Sequence, residues 1–438
     1  MAGSPNEKKF MREKIVKPPI NKRRVAGRLL CLLLVAAVFG VVAAVTFAVS
    51  RPLAEKYFGS ETASAGIPIT IAKDAEPGAQ TAPMETMKET AEEALQPDEL
   101  REEIQEIVEE ELKEFIWTPE QIAGAQRVMQ EICQEADKGI VTVAAVRRQV
   151  DWFDNPVESA GQYAGVIVAI NPSEAVILTG EQAVQEADAL NVIFGDGNIA
   201  PGEIKQRDTV AHLAAIRVKT ADITDSTMNW IKAVELGNSY TVRVGDPVLA
   251  VGSPSGRVHS VGQGLISYVA RNVQVADGQT RVLYTDFDCD VEKGTFLLNL
   301  SGQLIGWATE QFKNDETPDV TMIMPVSEYK GILQKMTNGE EIPYVGIMGL
   351  DVSESMQAGG IPLGIYITDC IAEGPAYSAG IQNGDILTGV NGETVASIRE
   401  FQSRLEDKKA GDTLNLTVRR KGIDAYKEIE YSITIGAR

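Results

Sequence analysis

The sequence predicts a mainly β protein. An all-β barrel or sandwich fills residues 139–338, and a smaller α+β unit fills 343–438. Both sit behind an N-terminal transmembrane helix and a helical acidic stalk. Three observations predict this arrangement. Residues 29–49 form an apolar run without a single charge. From about Ile140, short β-branched runs recur between Gly, Asp, Asn and Pro, the texture of strands joined by tight turns. Beyond Ile342 the strand-like runs continue, but one segment, 398–408, takes a helical period.

The N-terminus comes first. The apolar run is 21 residues long, enough at about 1.5 Å per residue to cross a hydrocarbon core of roughly 30 Å. Residues 1–28 carry nine Lys or Arg against Glu7 and Glu13, whereas in the first fifteen residues beyond the run the only Lys or Arg are Arg51 and Lys56. Basic flanks stay in the cytoplasm, so 1–28 reads as a cytoplasmic tail and the rest as lying outside it, extracellular or periplasmic. The apolar region of a cleaved signal peptide is shorter, about 7–15 residues, which favours an uncleaved anchor in the cell membrane.

Charge and composition exclude some classes. The formal net charge is −21, and without the basic tail the remainder carries −28. Nucleic-acid binding needs a basic surface, so no nucleic-acid partner is expected. Cys31, Cys133, Cys289 and Cys370 are too widely spaced for a disulfide framework or a metal-ligand set. No cofactor or metal is implied.

Residues 50–138 read as linker and stalk. Residues 50–83 are rich in Ala, Gly, Pro, Ser and Thr, as a flexible linker would be. Residues 84–138 are dominated by Glu, with Leu100, Ile104, Ile107, Leu112 and Phe115 at roughly helical spacing. Such a face docks onto its own domain or forms a short coiled coil.

The C-terminal unit carries the most specific motif. Residues 374–392 read Gly-Pro-Ala-Tyr-Ser-Ala-Gly-Ile-Gln-Asn-Gly-Asp-Ile-Leu-Thr-Gly-Val-Asn-Gly. Together with a helix over 397–408 and a closing strand over 412–422, this stretch resembles a PDZ domain across nearly all of 343–438. PDZ domains add an extended peptide to a sheet edge and capture its terminal carboxylate in a nest of backbone N–H groups. The resemblance implies a nest at Tyr344-Val345-Gly346-Ile347, where Gly346 lets a carboxylate approach the backbone. It implies a groove beside a helix face formed by Ile398, Phe401 and Leu405. The plain alternative is that those three side chains form a core face.

The preceding unit resembles the trypsin-like double β-barrel of the HtrA/DegP family, membrane or periplasmic serine proteases with C-terminal PDZ domains. The matching stretches include Ala164-Gly-Val-Ile-Val168, Val192-Ile-Phe-Gly-Asp-Gly197, Val244-Gly-Asp-Pro-Val-Leu-Ala-Val-Gly-Ser-Pro-Ser-Gly256 and Gly264-Leu-Ile-Ser267. Thr285-Asp286 and 298–306 bracket the family's nucleophile loop. That chemistry needs a serine to attack, a histidine to take its proton and an aspartate to orient the histidine. In this sequence Gln182 stands at the histidine position, His212 at the aspartate position and Lys293 at the serine position. The loop 290–296 is one residue shorter, and Val291 replaces an oxyanion-hole glycine. An amide is no general base near neutral pH. Ser253, Ser255 and His259 lie in a turn that the family uses structurally.

The resemblance therefore implies a catalytically inactive relative. It would act as a scaffold or sensor that binds exported peptides or protein C-termini through the PDZ domain. Because the family often assembles as trimers, a homotrimer, or partnership with an active paralogue, is a further expectation. Two rivals remain open: a working serine endopeptidase in envelope protein quality control, and a calcium-dependent surface assembly protein. The last rests on Asp286, Asp288, Asp290 and Glu292, whose alternation resembles half of a calcium loop but lacks its glycine and its closing acid.

Overall fold

The computed structural model describes residues 68–75, 118–150, 156–185, 187–313 and 320–438. The basic tail, the apolar run 29–49 and most of the expected linker and stalk lie outside them. Among the described residues no helix is long and apolar enough to cross a membrane.

Helix α1 (Pro119–Asp137) opens the folded part. The Thr118 hydroxyl accepts from the Gln121 N–H while the Gln121 side chain accepts from the Thr118 N–H, and Pro119 takes the first turn. This reciprocal box satisfies two orphan amides and sets where the helix begins. The last part of the expected stalk, 119–137, is thus helical, whereas its Glu-rich stretch lies outside the described residues. The helix docks on its own domain through Cys133 and Ala136, with Met129 and Ile132 packed beside them.

Strands β1 (Ile140–Val150), β2 (Pro156–Ile170), β3 (Glu174–Gly180), β4 (Ala189–Ile193), β5 (Ile199–Asp208) and β6 (Leu213–Lys219) close into a barrel in the order β1-β2-β3-β6-β5-β4. Strands β7 (Pro247–Gly252), β8 (Gly262–Val275), β9 (Gly278–Thr285), β10 (Thr295–Leu298), β11 (Leu304–Thr309) and β12 (Met322–Pro325) close a second one, β10-β11-β12-β9-β8-β7. Closure removes sheet edges, and the side chains that alternate inward fill each lumen. Val143, Ile167, Ile177, Val192, Phe194 and Ile216 fill the first; Val248, Ile266, Leu283, Leu297 and Ile323 fill the second. The opposite faces of both barrels share a third apolar layer. Ile140, Val166 and Leu178 from one barrel meet Leu249, Phe296 and Met324 from the other, with Ile332, Leu333 and Met336 of a helix that follows the barrels. The Trp307 ring meets Tyr329 edge-on at 5.4 Å, and its indole N–H donates to the Ala211 carbonyl.

Short helices α2 (Gln182–Gln185) and α3 (Asp225–Trp230) lie in the first barrel's connections, and α4 (Lys330–Asn338) is the helix after the second barrel. Residues 68–75 correct the linker expectation, because they run as an extended strap along α4. The Asn338 side chain accepts from the Ile69 N–H and donates to its carbonyl, and the Gln334 side chain accepts from the Ile71 N–H. The Asp74 carboxylate accepts from the Ser327 hydroxyl at 2.6 Å and from the Lys330 ammonium at 2.9 Å. Composition pointed to a linker because these partners lie more than 250 residues away in sequence.

The last unit holds β13 (Pro343–Tyr344), β14 (Ile347–Asp351), helix α5 (Glu354–Ala358), β15 (Ile365–Cys370), α6 (Pro375–Ala379), β16 (Ile386–Val390), β17 (Glu393–Thr394), α7 (Ile398–Glu406), β18 (Thr413–Lys421), β19 (Tyr426–Thr434) and β20 (Gly436–Ala437). The main sheet runs β14-β15-β16-β18-β19, so β14 is an edge strand, and β13 pairs β20 separately. Its core is its own: Ile347, Ile367, Leu387, Phe401, Leu416 and Ile433. The Arg420 guanidinium grips buried Asp385 with two 2.7 Å bonds, a planar fork on a carboxylate.

Candidate functional site

Two places hold the residues singled out from the sequence. The first is the mouth between the barrels. Gln182 is exposed and opens α2 immediately after β3. His212 ends the turn between β5 and β6 with a positive φ of 52°, and its Nδ1 lies 3.4 Å from the Glu181 carboxylate. Lys293 sits in the loop between β9 and β10, with its ammonium 5.9 Å from the centre of the Tyr163 ring.

The loop around Lys293 is held from within. The Lys293 N–H donates to Asp290 Oδ1 at 2.8 Å, and the Gly294 N–H donates to the Val291 carbonyl. The amide at the serine position of the resemblance, that of Lys293, is therefore already bonded within the loop. Gly294 has φ of 89°, and a Cβ there would meet the Ala164 carbonyl oxygen at 2.9 Å, so only glycine fits. The Ser253 N–H donates to the Gly294 carbonyl, while the buried Ser253 hydroxyl has no hydrogen-bond partner among the described residues. The second histidine, His259, contacts the Asp137 carboxylate at 2.8 Å through Nδ1. Among the described residues the hydrogen bonds and ion pairs place both imidazoles beside carboxylates, with no hydroxyl bonded to either.

The acidic alternation does not converge. Asp286 Oδ1 accepts from the Leu265 N–H, Asp288 Oδ1 from the Thr321 hydroxyl and Asp290 Oδ1 from the Lys293 N–H. Each carboxylate pins a different part of the loop. No group of three or more His, Cys, Asp or Glu among the described residues is arranged to hold a metal ion.

The second place is the expected carboxylate nest. The N–H groups of Val345, Gly346 and Ile347 converge, and Gly346 adopts φ of 83°. Ile398, Phe401 and Leu405 lie on one face of α7, at 0%, 0% and 4% exposure, packed into the core of this unit. The structure brings them beside the nest but as core side chains, with Leu405 alone keeping a sliver of open surface. Sequence reasoning missed Asp277, in the turn between β8 and β9. Its Oδ2 accepts from Val345 N–H at 2.8 Å, and its Oδ1 accepts from Gly346 at 2.8 Å and Ile347 at 3.0 Å. Its own N–H donates to the Ile347 carbonyl at 2.7 Å. Burial pushes this carboxyl group's pKa up, and the three N–H donors pull it back. Burial also raises the Tyr344 phenol, and the nearby Asp277 charge adds to that. The only local signal was Asp277-Gly278, a turn dipeptide that says nothing of a partner 70 residues on.

A trypsin-like peptidase domain model matches residues 164–306, and a PDZ domain model matches residues 346–430. The chain carries an HtrA-like trypsin-fold domain followed by a PDZ domain. Over 291 residues the HtrA-like chain is 27% identical to the serine protease Do-like HtrA of Bacillus subtilis, a match covering 62% of this chain and 63% of that protein. The chain thus spans less than two thirds of that relative. With the serine endoprotease DegS of Haemophilus influenzae it shares 28% identity over 267 residues, 59% of this chain and 73% of that one. A solved structure, the HtrA-type protease AlgW with decapeptide, superposes with a TM-score of 0.52 at 19% identity, covering 71% of this chain and 98% of that chain. At that identity the likeness is one of fold.

Proposed function

We propose that this HtrA-like chain is a membrane-anchored, catalytically inactive receptor whose PDZ domain binds exported peptides or protein C-termini. The observation that carries the reading is the nest: three backbone N–H groups from Val345 to Ile347 converge on a carboxylate. A terminal carboxylate presents the same two oxygens to those donors, and the edge strand β14 offers the backbone for strand addition. Inactivity is supported by Gln182, His212 and Lys293 at the three positions of the resemblance, by Val291 at its oxyanion-hole glycine, and by the internally bonded amide of Lys293. Anchoring is supported by the uncharged run 29–49 and its basic flank. A homotrimer, or partnership with an active paralogue, is the assembly the resemblance implies.

The test is a titration of the full chain with octapeptides ending in Val, Leu, Ile or Phe, each as free acid and as C-terminal amide. Binding by the acids, and at least about tenfold weaker binding by the amides, is expected, because an amide cannot present two acceptor oxygens. Indifference to amidation refutes the receptor reading. Incubation with unfolded casein and a fluorophosphonate probe tests the rest: a labelled serine or cleaved casein refutes inactivity.

A further inference from the structure

The PDZ nest already has an occupant. In a free receptor the three converging N–H groups of Val345, Gly346 and Ile347 would face solvent or a ligand, whereas here they are bonded to Asp277. The bonding resembles what an extended peptide would make at its last residue. The carboxylate fills the nest, and the backbone N–H of the same residue bonds the Ile347 carbonyl, the start of the edge strand β14. Val275 and Ala276, which precede it, are 5% and 7% exposed, so the tip of the hairpin is seated rather than loosely apposed.

Other contacts hold the tip beside α7 and β15. The Gln402 side chain of α7 lies against Gly278, where a Cβ would meet it at 2.5 Å. Gln274, before the turn, accepts from the Thr368 hydroxyl at 2.5 Å. Asp277 itself holds a positive φ of 61°, which Asp tolerates better than most residues, and this aims both its N–H and its side chain at one strand.

We propose that Asp277 is a resident ligand supplied in cis, and that a free peptide C-terminus enters the PDZ nest only by displacing it and releasing the β8–β9 tip. The proposal rests on the receptor reading above and adds what that reading lacks, the competitor. Two carboxylates cannot share three donors, since each oxygen pair needs the same N–H groups and like charges at contact repel. Displacement therefore comes with loss of the Asp277 N–H bond to Ile347, because an added strand uses that carbonyl too.

A receptor whose open form is a small fraction of the population binds more weakly by that fraction. If at most a tenth of molecules have an open nest, removing the Asp277 carboxylate tightens peptide binding by at least about tenfold. The experiment uses the full chain, the octapeptide acids and amides described above, and the variants Asp277→Ala and Asp277→Asn. Circular dichroism identifies which variant keeps the wild-type fold; the asparagine form preserves side-chain volume should alanine disturb the turn. Tightening of about tenfold or more for the acids, and none for the amides, is expected. Equal affinity of wild type and variant overturns the resident-ligand proposal and leaves the receptor reading standing. A folded variant that binds no acid overturns both. A second measurement needs no substitution: hydrogen exchange of the wild-type Asp277 amide at saturating peptide acid. That amide is expected to lose protection, and unchanged protection under saturation overturns displacement.

Discussion

Cutting the strap at its ionic anchor gives a prediction that can be worked through. The Asp74 carboxylate holds the Lys330 ammonium at 2.9 Å and the Ser327 hydroxyl at 2.6 Å, with the Lys330 side chain 7% exposed and that of Asp74 15%. Asp74→Ala leaves a buried ammonium without its counter-charge. Removing one partner of a fully buried pair costs roughly 3–5 kcal/mol. Residual exposure reduces this to about 3 kcal/mol here. For a unit the size of the two barrels that lowers the thermal midpoint by about 6–12 °C. Lys330→Met in the Asp74→Ala background removes the orphaned charge, and most of the loss should return, because replacing both members of such a pair is often nearly neutral. The assay is thermal unfolding of wild type, both single variants and the double variant, with hydrogen exchange at Ile69 and Ile71 reporting strap release. Less than 1 °C of change in Asp74→Ala, or a double variant no better than Asp74→Ala, would show that the Asp74–Lys330 pair does not hold the strap.

Phe401→Ala empties a fully buried site in the PDZ core; it should cost about 3–5 kcal/mol in that domain's unfolding transition, and a loss under 1 kcal/mol would contradict its placement. Burial, with neighbouring Asp369 adding to it, pushes the Cys370 thiol up to about 11, and burial also raises Cys133 and Cys289. Since only the thiolate reacts and each of these pKa values is raised, all three should alkylate slowly with iodoacetamide at pH 8 and reach ordinary rates in denaturant or as pH rises through the folded pKa; Cys370 should be on the order of 100-fold slower than a free cysteine. The triple variant Gln182→His, His212→Asp, Lys293→Ser should leave fluorophosphonate labelling at background, because the amide at 293 stays bonded to Asp290 and Val291 still stands at the oxyanion-hole glycine position; strong labelling of the serine introduced at 293 would show that residue identity alone was limiting.

Much of the fold was legible because periodicity and punctuation are local. The strand runs from Ile140 onward, the helix over 398–406 and the turn motifs of the PDZ unit all follow from neighbours in the chain. Closure of two six-stranded barrels came from resemblance, since pairings such as β1 with β4 or β7 with β10 join residues that share no local signal. The spacing of Ile398, Phe401 and Leu405 puts them on one helical face, which suits a groove wall and a core face alike; their burial is set by the surrounding domain and not by spacing. The strap over 68–75 was misread because Ala, Gly and Pro composition describes a free chain, whereas its order comes from Asn338, Gln334 and Lys330. Asp277 was invisible for the same reason: nothing in Ala276-Asp277-Gly278 beyond turn chemistry hints at a carboxylate socket in the next domain.

The apolar layer between the barrels has a consequence for how such a chain can be divided. Ile140, Val166 and Leu178 share their apolar layer with Leu249, Phe296 and Met324 of the other barrel and with Ile332, Leu333 and Met336 of α4. Either barrel produced alone would present a greasy flank to water and self-associate, so the pair must be inherited, expressed and degraded as one cooperative piece. The PDZ unit, with a core of its own, is the part that evolution or a protease could trim away separately.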